Sequence, residues 1–160
     1  MTDQHWPVVE LDPVRRLGII AASIPGVSIS EIVVAAPFEA VWAVAADLES
    51  ELPHWVFADL RSVRLTRLPD SDRLVARVVG HSGLRARFDV VLRPGWCLMQ
   101  SRFLLGGMAA VENGGATRFA LLSGVRGPLR PLAPAARLVA AGNARRALER
   151  FVRPVDLRAY

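Results

Sequence analysis

The sequence contains no lysine, and all 20 of its basic residues are arginine. Arginine stays protonated, so it can serve neither as a Schiff-base nucleophile nor as a tunable general base. Lysine-dependent catalysis is therefore excluded. Cysteine occurs once, at Cys97, which excludes an intramolecular disulfide and a metal site built on a cysteine pair. The three histidines, His5, His54 and His81, lack metal-ligand spacing, so we expect no metal site and no cofactor.

Long apolar runs are also missing, although 52% of the 160 residues are hydrophobic. No run approaches the roughly 18–20 residues that a membrane span requires, so we predict no membrane-spanning segment. The polar N-terminus shows no secretory signal, and the single cysteine favours a reducing, cytoplasmic location. The length predicts one domain, since domains usually have about 100–200 residues.

The charge is unevenly distributed along the chain. Residues 1–80 carry a net charge of −4, whereas residues 81–160 carry +9. A basic half can indicate binding to nucleic acid or to an anionic membrane. Because the arginines are spread over several predicted elements, we interpret them as solvated faces and expect no nucleic-acid partner. The alternative is a phosphate-binding stripe of Arg77, Arg87, Arg102 and Arg118, but ion pairing with Asp89 across strands would explain that arrangement without a site.

Apolar residues at helical spacing predict four helical segments. Asp12-Pro13 is typical of a helix start, and Pro25-Gly26 ends this first amphipathic helix. A second helix starts at Ala36-Pro37 and is followed by an apolar stripe. One or two helical turns are expected over residues 54–57, and a long alanine-rich helix over residues 135–152.

Alternation with a period of two predicts seven strands, one before the second helix and six after residue 60. Short turn signals separate the later strands, and they include Gly106-Gly107 and Gly114-Gly115. Strands joined by such short links must be antiparallel. The predicted strands cover residues 28–35, 61–68, 73–80, 84–92, 96–105, 108–112 and 117–125.

The order of these elements and several local motifs resemble the START/Bet v1-like (SRPBCC) superfamily, which includes polyketide cyclases and lipid-transfer proteins. The resemblance covers residues 27–153. It implies an α+β helix-grip fold, in which a curved antiparallel sheet wraps around a long C-terminal helix. Residues 27–160 would form this domain, and residues 1–26 an N-terminal helical extension that could alter the cavity mouth. The matching motifs are Ala36-Pro37-Phe38-Glu39-Ala40-Val41-Trp42, Asp47-Leu48-Glu49, Leu52-Pro53-His54-Trp55 with Val63, Pro94-Gly95, and Gly114-Gly115-Ala116-Thr117-Arg118.

The resemblance also implies a ligand site between the concave face of the sheet and the long helix. Strand alternation and helical spacing indicate which side chains face that site. Few of them are polar, which suits an apolar ligand with one or two oriented oxygens. The same side chains could instead fill a closed core. The candidates are Trp55, Phe57, Leu74, Ala76, Val78, Ala86, Phe88, Val90, Cys97, Met99, Ser101, Phe103, Thr117, Phe119, Leu121, Ser123, Leu138 and Ala141.

Three functions remain open from the sequence. The first is binding or carrying of a small apolar ligand, such as a lipid, a polyketide-like compound or an isoprenoid. The second is an aromatase/cyclase-type enzyme, in which His54, Ser101 and Ser123 would assist proton transfer. The third is a ligand-free interaction or regulatory domain that docks through its first or last helix. We interpret Cys97 as a buried structural thiol, and the sequence does not indicate a homo-oligomer.

Overall fold

The computed structural model describes residues 10–55 and 60–159, and it describes side chains as far as residue 156. In chain order the elements are α1 (Pro13–Ser23), β1 (Val27–Val34), α2 (Phe38–Ala46), α3 (Leu52–Trp55), β2 (Leu60–Arg67), β3 (Arg73–Gly80), β4 (Arg85–Arg93), β5 (Trp96–Gln100), β6 (Leu104–Asn113), β7 (Ala116–Val125), a 3₁₀ helix (Gly127–Leu132) and α4 (Ala133–Ala159).

The seven strands form one antiparallel sheet in the order β1-β7-β6-β5-β4-β3-β2. Strands β2 to β7 follow one another as a meander, and β1 pairs with the last strand, from Val27 opposite Gly124 to Val34 opposite Thr117. Helix α4 crosses the concave face and packs against β1 and β7. The predicted α+β helix-grip architecture is therefore confirmed. None of the helices in the described residues is both long and apolar enough to cross a membrane.

Helix α1 covers part of the outer face of the sheet. The side chain of Asp12 caps this helix by accepting a hydrogen bond from the backbone N–H of Arg15 at 2.9 Å, and Pro13 occupies the first turn. Its apolar side packs on β1, β6 and β7. The N-terminal extension therefore adds a layer on the side opposite α4. This outer cluster contains Val14, Leu17, Ala21, Val27, Leu105, Ala109, Ala120 and Leu122.

The main core lies on the inner face, where α2, α3 and α4 pack against the sheet. Its largest side chains are Trp55, Phe119 and Phe151, all of which are buried. The rings of Phe119 and Phe151 stack with centroids 4.3 Å apart, and Trp55 lies 4.7 Å from Phe151. Such aromatic contacts add to the free energy gained from burial. They fill the space under the C-terminal part of α4.

The hairpin between β5 and β6 differs from the prediction. Strand β5 ends at Gln100, and the turn is made by Ser101, whose hydroxyl accepts hydrogen bonds from the N–H groups of Phe103 and Leu104. The predicted Gly106-Gly107 turn is wrong, because both glycines lie inside β6. A glycine within a strand permits a close approach instead of a reversal. A serine hydroxyl supplies the turn here.

Candidate functional site

A cavity of about 230 Å³ lies between the inner face of the sheet and the first half of α4. Strands β4 to β7 form one wall, α4 forms the other, and Leu52 of α3 adds to the lining. Its lining residues are Leu52, Phe88, Cys97, Met99, Leu104, Leu105, Gly106, Gly107, Met108, Leu121, Leu122, Ser123, Gly124, Val125, Ala136, Val139, Ala140, Asn143, Ala144 and Ala147.

The lining is apolar and carries no charged side chain among these described residues. Its polar side chains are Ser123, Asn143 and the thiol of Cys97. Two residues at one end, Leu104 and Val139, expose 42% and 64% of their surface, so the cavity opens to solvent there. Cys97 lies among the fully buried residues at the inner end. The shape suits a small ligand that enters from the end near Leu104.

Small residues on both walls create this space. On α4, Ala136, Ala140 and Ala144 follow one another at intervals of four residues, which places them on one side of the helix. On the facing strand, Gly106 has no side chain, and a Cβ there would meet only Met99 Cε at 3.7 Å. Further along α4, the bulky side chain of Phe151 fills the corresponding space. The chain therefore leaves the cavity open at the alanine-rich end of α4.

Five predicted site residues line this cavity, and others surround it without reaching it. Phe88, Cys97, Met99, Leu121 and Ser123 are in the lining. The residues in the inner core around it are Trp55, Leu74, Ala76, Val78, Ala86, Val90 and Phe119.

Thr117 has a different role from the one predicted. It is completely buried, and its hydroxyl donates a hydrogen bond to the backbone carbonyl of Ala36 at 2.8 Å. This bond joins β7 to the segment between β1 and α2. Because Thr117 is fully buried and is not part of the lining, its hydroxyl does not contact a ligand in the cavity.

Five other predicted residues lie away from the lining or outside the described residues. Ser101 and Phe103 form the β5–β6 turn, and Phe103 is 42% exposed. Leu138 is 79% exposed, and Ala141 is also exposed. Phe57 lies outside the described residues.

The error on α4 has a geometric cause. Leu138, Ala141 and Ala144 follow one another in steps of three residues, but only Ala144 lines the cavity. Since a helix turns about 100° per residue, each such step falls about 60° short of a full turn. Leu138 therefore lies about 120° around the helix from Ala144.

Sequence reasoning also missed part of the lining, mainly on α4 and at the start of β6. The stripe of Ala136, Ala140 and Ala144 at intervals of four was a readable signal of one small-residue face. Asn143 lies beside that stripe. Leu104 and Leu105 were assigned to the wrong strand, and this misplacement followed from reading Gly106-Gly107 as a turn.

The residues considered for proton transfer do not come together. His54 is exposed on α3 and Ser101 lies in a turn, so only Ser123 reaches the cavity. Burial raises the pKa of the Cys97 thiol from its ordinary value of 9.0 to about 12. The thiol is therefore protonated at neutral pH and unsuited to nucleophilic attack.

Two of the four arginines in the alternative phosphate-binding stripe make other contacts. Arg118 pairs with Asp12, and Arg102 lies over the ring of Phe103 at 5.4 Å. Within the described part of the chain, Asp89 makes no salt bridge, so the expected cross-strand ion pairing is not found.

The other two, Arg77 and Arg87, lie side by side in a row with Arg64 on neighbouring strands. Arg64 of β2 is directly opposite Arg77 of β3, which is directly opposite Arg87 of β4. No cluster of three His, Cys, Asp or Glu side chains that could hold a metal occurs among the described residues.

Several solved structures resemble this one. A START superfamily protein from Mycobacterium smegmatis superimposes with a TM-score of 0.54 at 19% identity, over 80% of this chain and 97% of that chain. The protein XoxI from Bacillus cereus superimposes with a TM-score of 0.65 at 14% identity, over 84% of this chain and 99% of that chain. The di-domain ARO/CYC protein BexL of the BE-7585A biosynthetic pathway gives 0.55 at 13% identity, over 88% of this chain and 53% of that one.

These similarities concern the fold. No protein-family model matches the chain, and no curated protein matches its sequence significantly. The predicted START/Bet v1-like fold is confirmed. Because function on a shared fold depends on the individual site, the ligand has to be argued from the cavity itself.

Proposed function

We propose that this protein binds or carries a small apolar molecule in the cavity between its sheet and α4. The observation that carries the proposal is a lining without charged side chains that opens to solvent at one end. Transfer of apolar surface from water into such a lining is favourable by about 25 cal/mol per Å². A molecule enclosed there would gain this free energy without desolvating an ion.

The volume limits the size of the ligand. Sites for small molecules usually measure about 300–1,000 Å³. The cavity here, at about 230 Å³, is smaller than that range. A compound of one or two rings, or a short isoprenoid or acyl chain, fits this size better than a whole diacyl lipid.

An aromatase/cyclase-type reaction is the weaker alternative. Its support is the fold shared with BexL, which says nothing about the residues of this cavity. Neither His54 nor Ser101 lines the cavity, and the Cys97 thiol is protonated. A ligand-free interaction domain is the third hypothesis, but it gives no reason for the open space beneath α4. The free thiol fits a reducing compartment such as the cytoplasm, and this location stays a prediction.

The experiment is to fill the cavity and measure binding. Gly106→Val adds a side chain on the inner face of β6, whereas Thr66→Val adds a valine to an exposed position of β2 as the matched control. Binding of 2-methylnaphthalene is followed by its fluorescence. We expect one site in the wild type, at least tenfold weaker binding in Gly106→Val and unchanged binding in Thr66→Val. If the wild type does not bind the probe, or if all three proteins bind equally, the proposal is wrong.

A further inference from the structure

Exposed apolar side chains are concentrated around the mouth of the cavity. The part of the chain that the structure describes has nine large hydrophobic residues with exposed side chains, and five of them lie in two segments at the mouth. We call these segments, residues 101–104 and 126–139, the mouth rim. The five residues are Phe103, Leu104, Leu132, Leu138 and Val139.

The two segments of the mouth rim contact each other. The backbone N–H of Arg126 donates a hydrogen bond to the carbonyl of Phe103 at 2.8 Å. The 3₁₀ helix that follows Arg126 packs against both β7 and α4. Leu104 from the first segment and Val139 from the second both line the cavity. The mouth rim is therefore one surface that borders the opening, and exposed apolar surface of this kind usually marks a site of interaction.

The mouth rim is also positively charged. It contains Arg102, Arg126, Arg130 and Arg137, and no acidic residue. None of these four arginines makes a salt bridge with another described residue. Their charges are therefore available to an anionic partner.

We propose that the mouth rim docks on the surface of an anionic lipid bilayer. Such a surface presents negatively charged headgroups above an apolar interior, so it accepts both kinds of side chain found in the mouth rim. An acidic protein would match the arginines alone. The inference goes beyond the proposed function because it concerns the surface around the opening and not the cavity. Docking there would let an apolar ligand pass between the bilayer and the cavity without crossing water.

The experiment is co-sedimentation of the full chain with lipid vesicles. Vesicles of equal parts phosphatidylglycerol and phosphatidylcholine are compared with vesicles of phosphatidylcholine alone. We expect binding to the anionic vesicles, binding about tenfold weaker or less to the neutral ones, and a loss of affinity at high salt, because salt screens exposed charges. If the protein binds neither kind of vesicle, or binds both equally, the proposal is wrong.

Substitutions of apolar residues separate the mouth rim from the rest of the surface. Phe103→Ser and Leu138→Ser should each weaken binding to anionic vesicles about tenfold, since each removes apolar surface that the bilayer would bury. Leu68→Ser is the matched control. Leu68 is 38% exposed, close to the 42% of Phe103, but it lies in the β2–β3 turn, at the end of the sheet opposite the β5–β6 turn. Equal effects of the three substitutions would contradict the proposal.

A second pair of variants tests the charges. Arg130→Gln should weaken binding to anionic vesicles about fivefold, which is the contribution of one basic side chain near such a surface. Arg64→Gln removes the same charge from β2, outside the mouth rim, and should change the affinity little. If both variants lose the same affinity, the attraction comes from the net charge of +5 and the proposed surface is wrong.

The docking surface and the proposed function can fail separately. Gly106→Val fills the cavity but leaves the mouth rim unchanged, so it should bind anionic vesicles like the wild type. Loss of vesicle binding in this variant would mean that the cavity itself contacts the lipid, which would overturn the docking surface. A wild type that binds anionic vesicles but not 2-methylnaphthalene would instead refute the proposed function alone.

Discussion

The carboxylate of Asp12 lies 2.9 Å from the guanidinium of Arg118 and joins the start of α1 to the outer face of β7. The same carboxylate caps α1 through the N–H of Arg15. Glu31 on β1 lies 4.0 Å from the Nε of Arg118 and adds a second negative charge beside it. One aspartate therefore both starts the N-terminal helix and attaches it to the sheet.

The first prediction concerns the pH dependence of this attachment. Partial burial pushes the pKa of Asp12 upward, but the hydrogen bond from Arg15 together with the hydrogen bond and charge of Arg118 outweighs it. The pKa is therefore held below its ordinary value. A carboxylate with a lowered pKa stabilises the fold above its ordinary pKa, and this stabilisation is lost as the pH falls through the native value.

Asp12→Asn keeps a capping side chain but removes the charge. We expect the wild type to be the more stable protein at pH 7. Urea unfolding should show the difference shrinking as the pH falls below about 4. A difference that stays constant down to pH 2 would contradict the assigned role of the charge.

The second prediction concerns the buried hydroxyl of Thr117. Thr117→Val keeps the shape but leaves the carbonyl of Ala36 without its donor. Loss of a buried partner of this kind costs about 1–3 kcal/mol in the free energy of unfolding. Thr66→Val, at an exposed position, should change the free energy of unfolding little. Equal effects of the two substitutions on the urea midpoint would argue against the bond.

The third prediction concerns the reactivity of Cys97. With its pKa raised to about 12, the buried thiol should resist iodoacetamide at pH 8 in the native protein and react fully in urea. Because the thiol ionises more easily in the unfolded chain, the free energy of unfolding should fall as the pH rises above about 9. Cys97→Ala should abolish this part of the pH dependence. Rapid stoichiometric labelling of the native protein would contradict the burial.

The fourth prediction separates the two glycines of β6. A Cβ on Gly107 would lie 3.0 Å from Leu17 Cδ1 and 3.3 Å from the carbonyl oxygen of Cys97, whereas a Cβ on Gly106 meets nothing closer than 3.7 Å. Gly107→Ala should therefore lower the free energy of unfolding by about 1–3 kcal/mol, because the added methyl group overpacks the contact. Gly106→Ala should be neutral or stabilising. Leu17→Ala in the Gly107→Ala background should recover part of the loss, and full additivity in this double-mutant cycle would contradict the contact.

The fifth prediction concerns the row formed by Arg64, Arg77 and Arg87. Like charges directly opposite each other on neighbouring strands are destabilising. Arg77→Gln should therefore raise the melting temperature at low ionic strength, and the gain should shrink at high salt because salt screens exposed charges. Arg145→Gln is the control, since it removes a pair with Glu149 and should not stabilise. A gain that does not depend on salt would point to another cause.

Most of the secondary structure was predictable because its signals are local. Asp12-Pro13 starts α1 through a side-chain cap, and alternation in β3 and β7 distinguishes the inner from the outer face. The β5–β6 hairpin was not predictable from the sequence, because a glycine pair indicates a turn and a close approach between two chain segments equally well. Only the packing of Leu17 on Gly107 shows which of these it is.

The sequence by itself determined the order of the main elements and the apolar character of the inner face, since hydrophobic periodicity selects which side of each element is buried. Its resemblance to a known family implied the helix-grip architecture. Only the tertiary structure decided which of those apolar residues line a cavity and which fill the core. Cys97 and Ala76 follow the same alternation, but one lines the cavity beneath the alanines of α4 and the other is packed within the core. That difference depends on the rotation of α4 and on side chains distant in sequence, so it arises only when the helix meets the sheet.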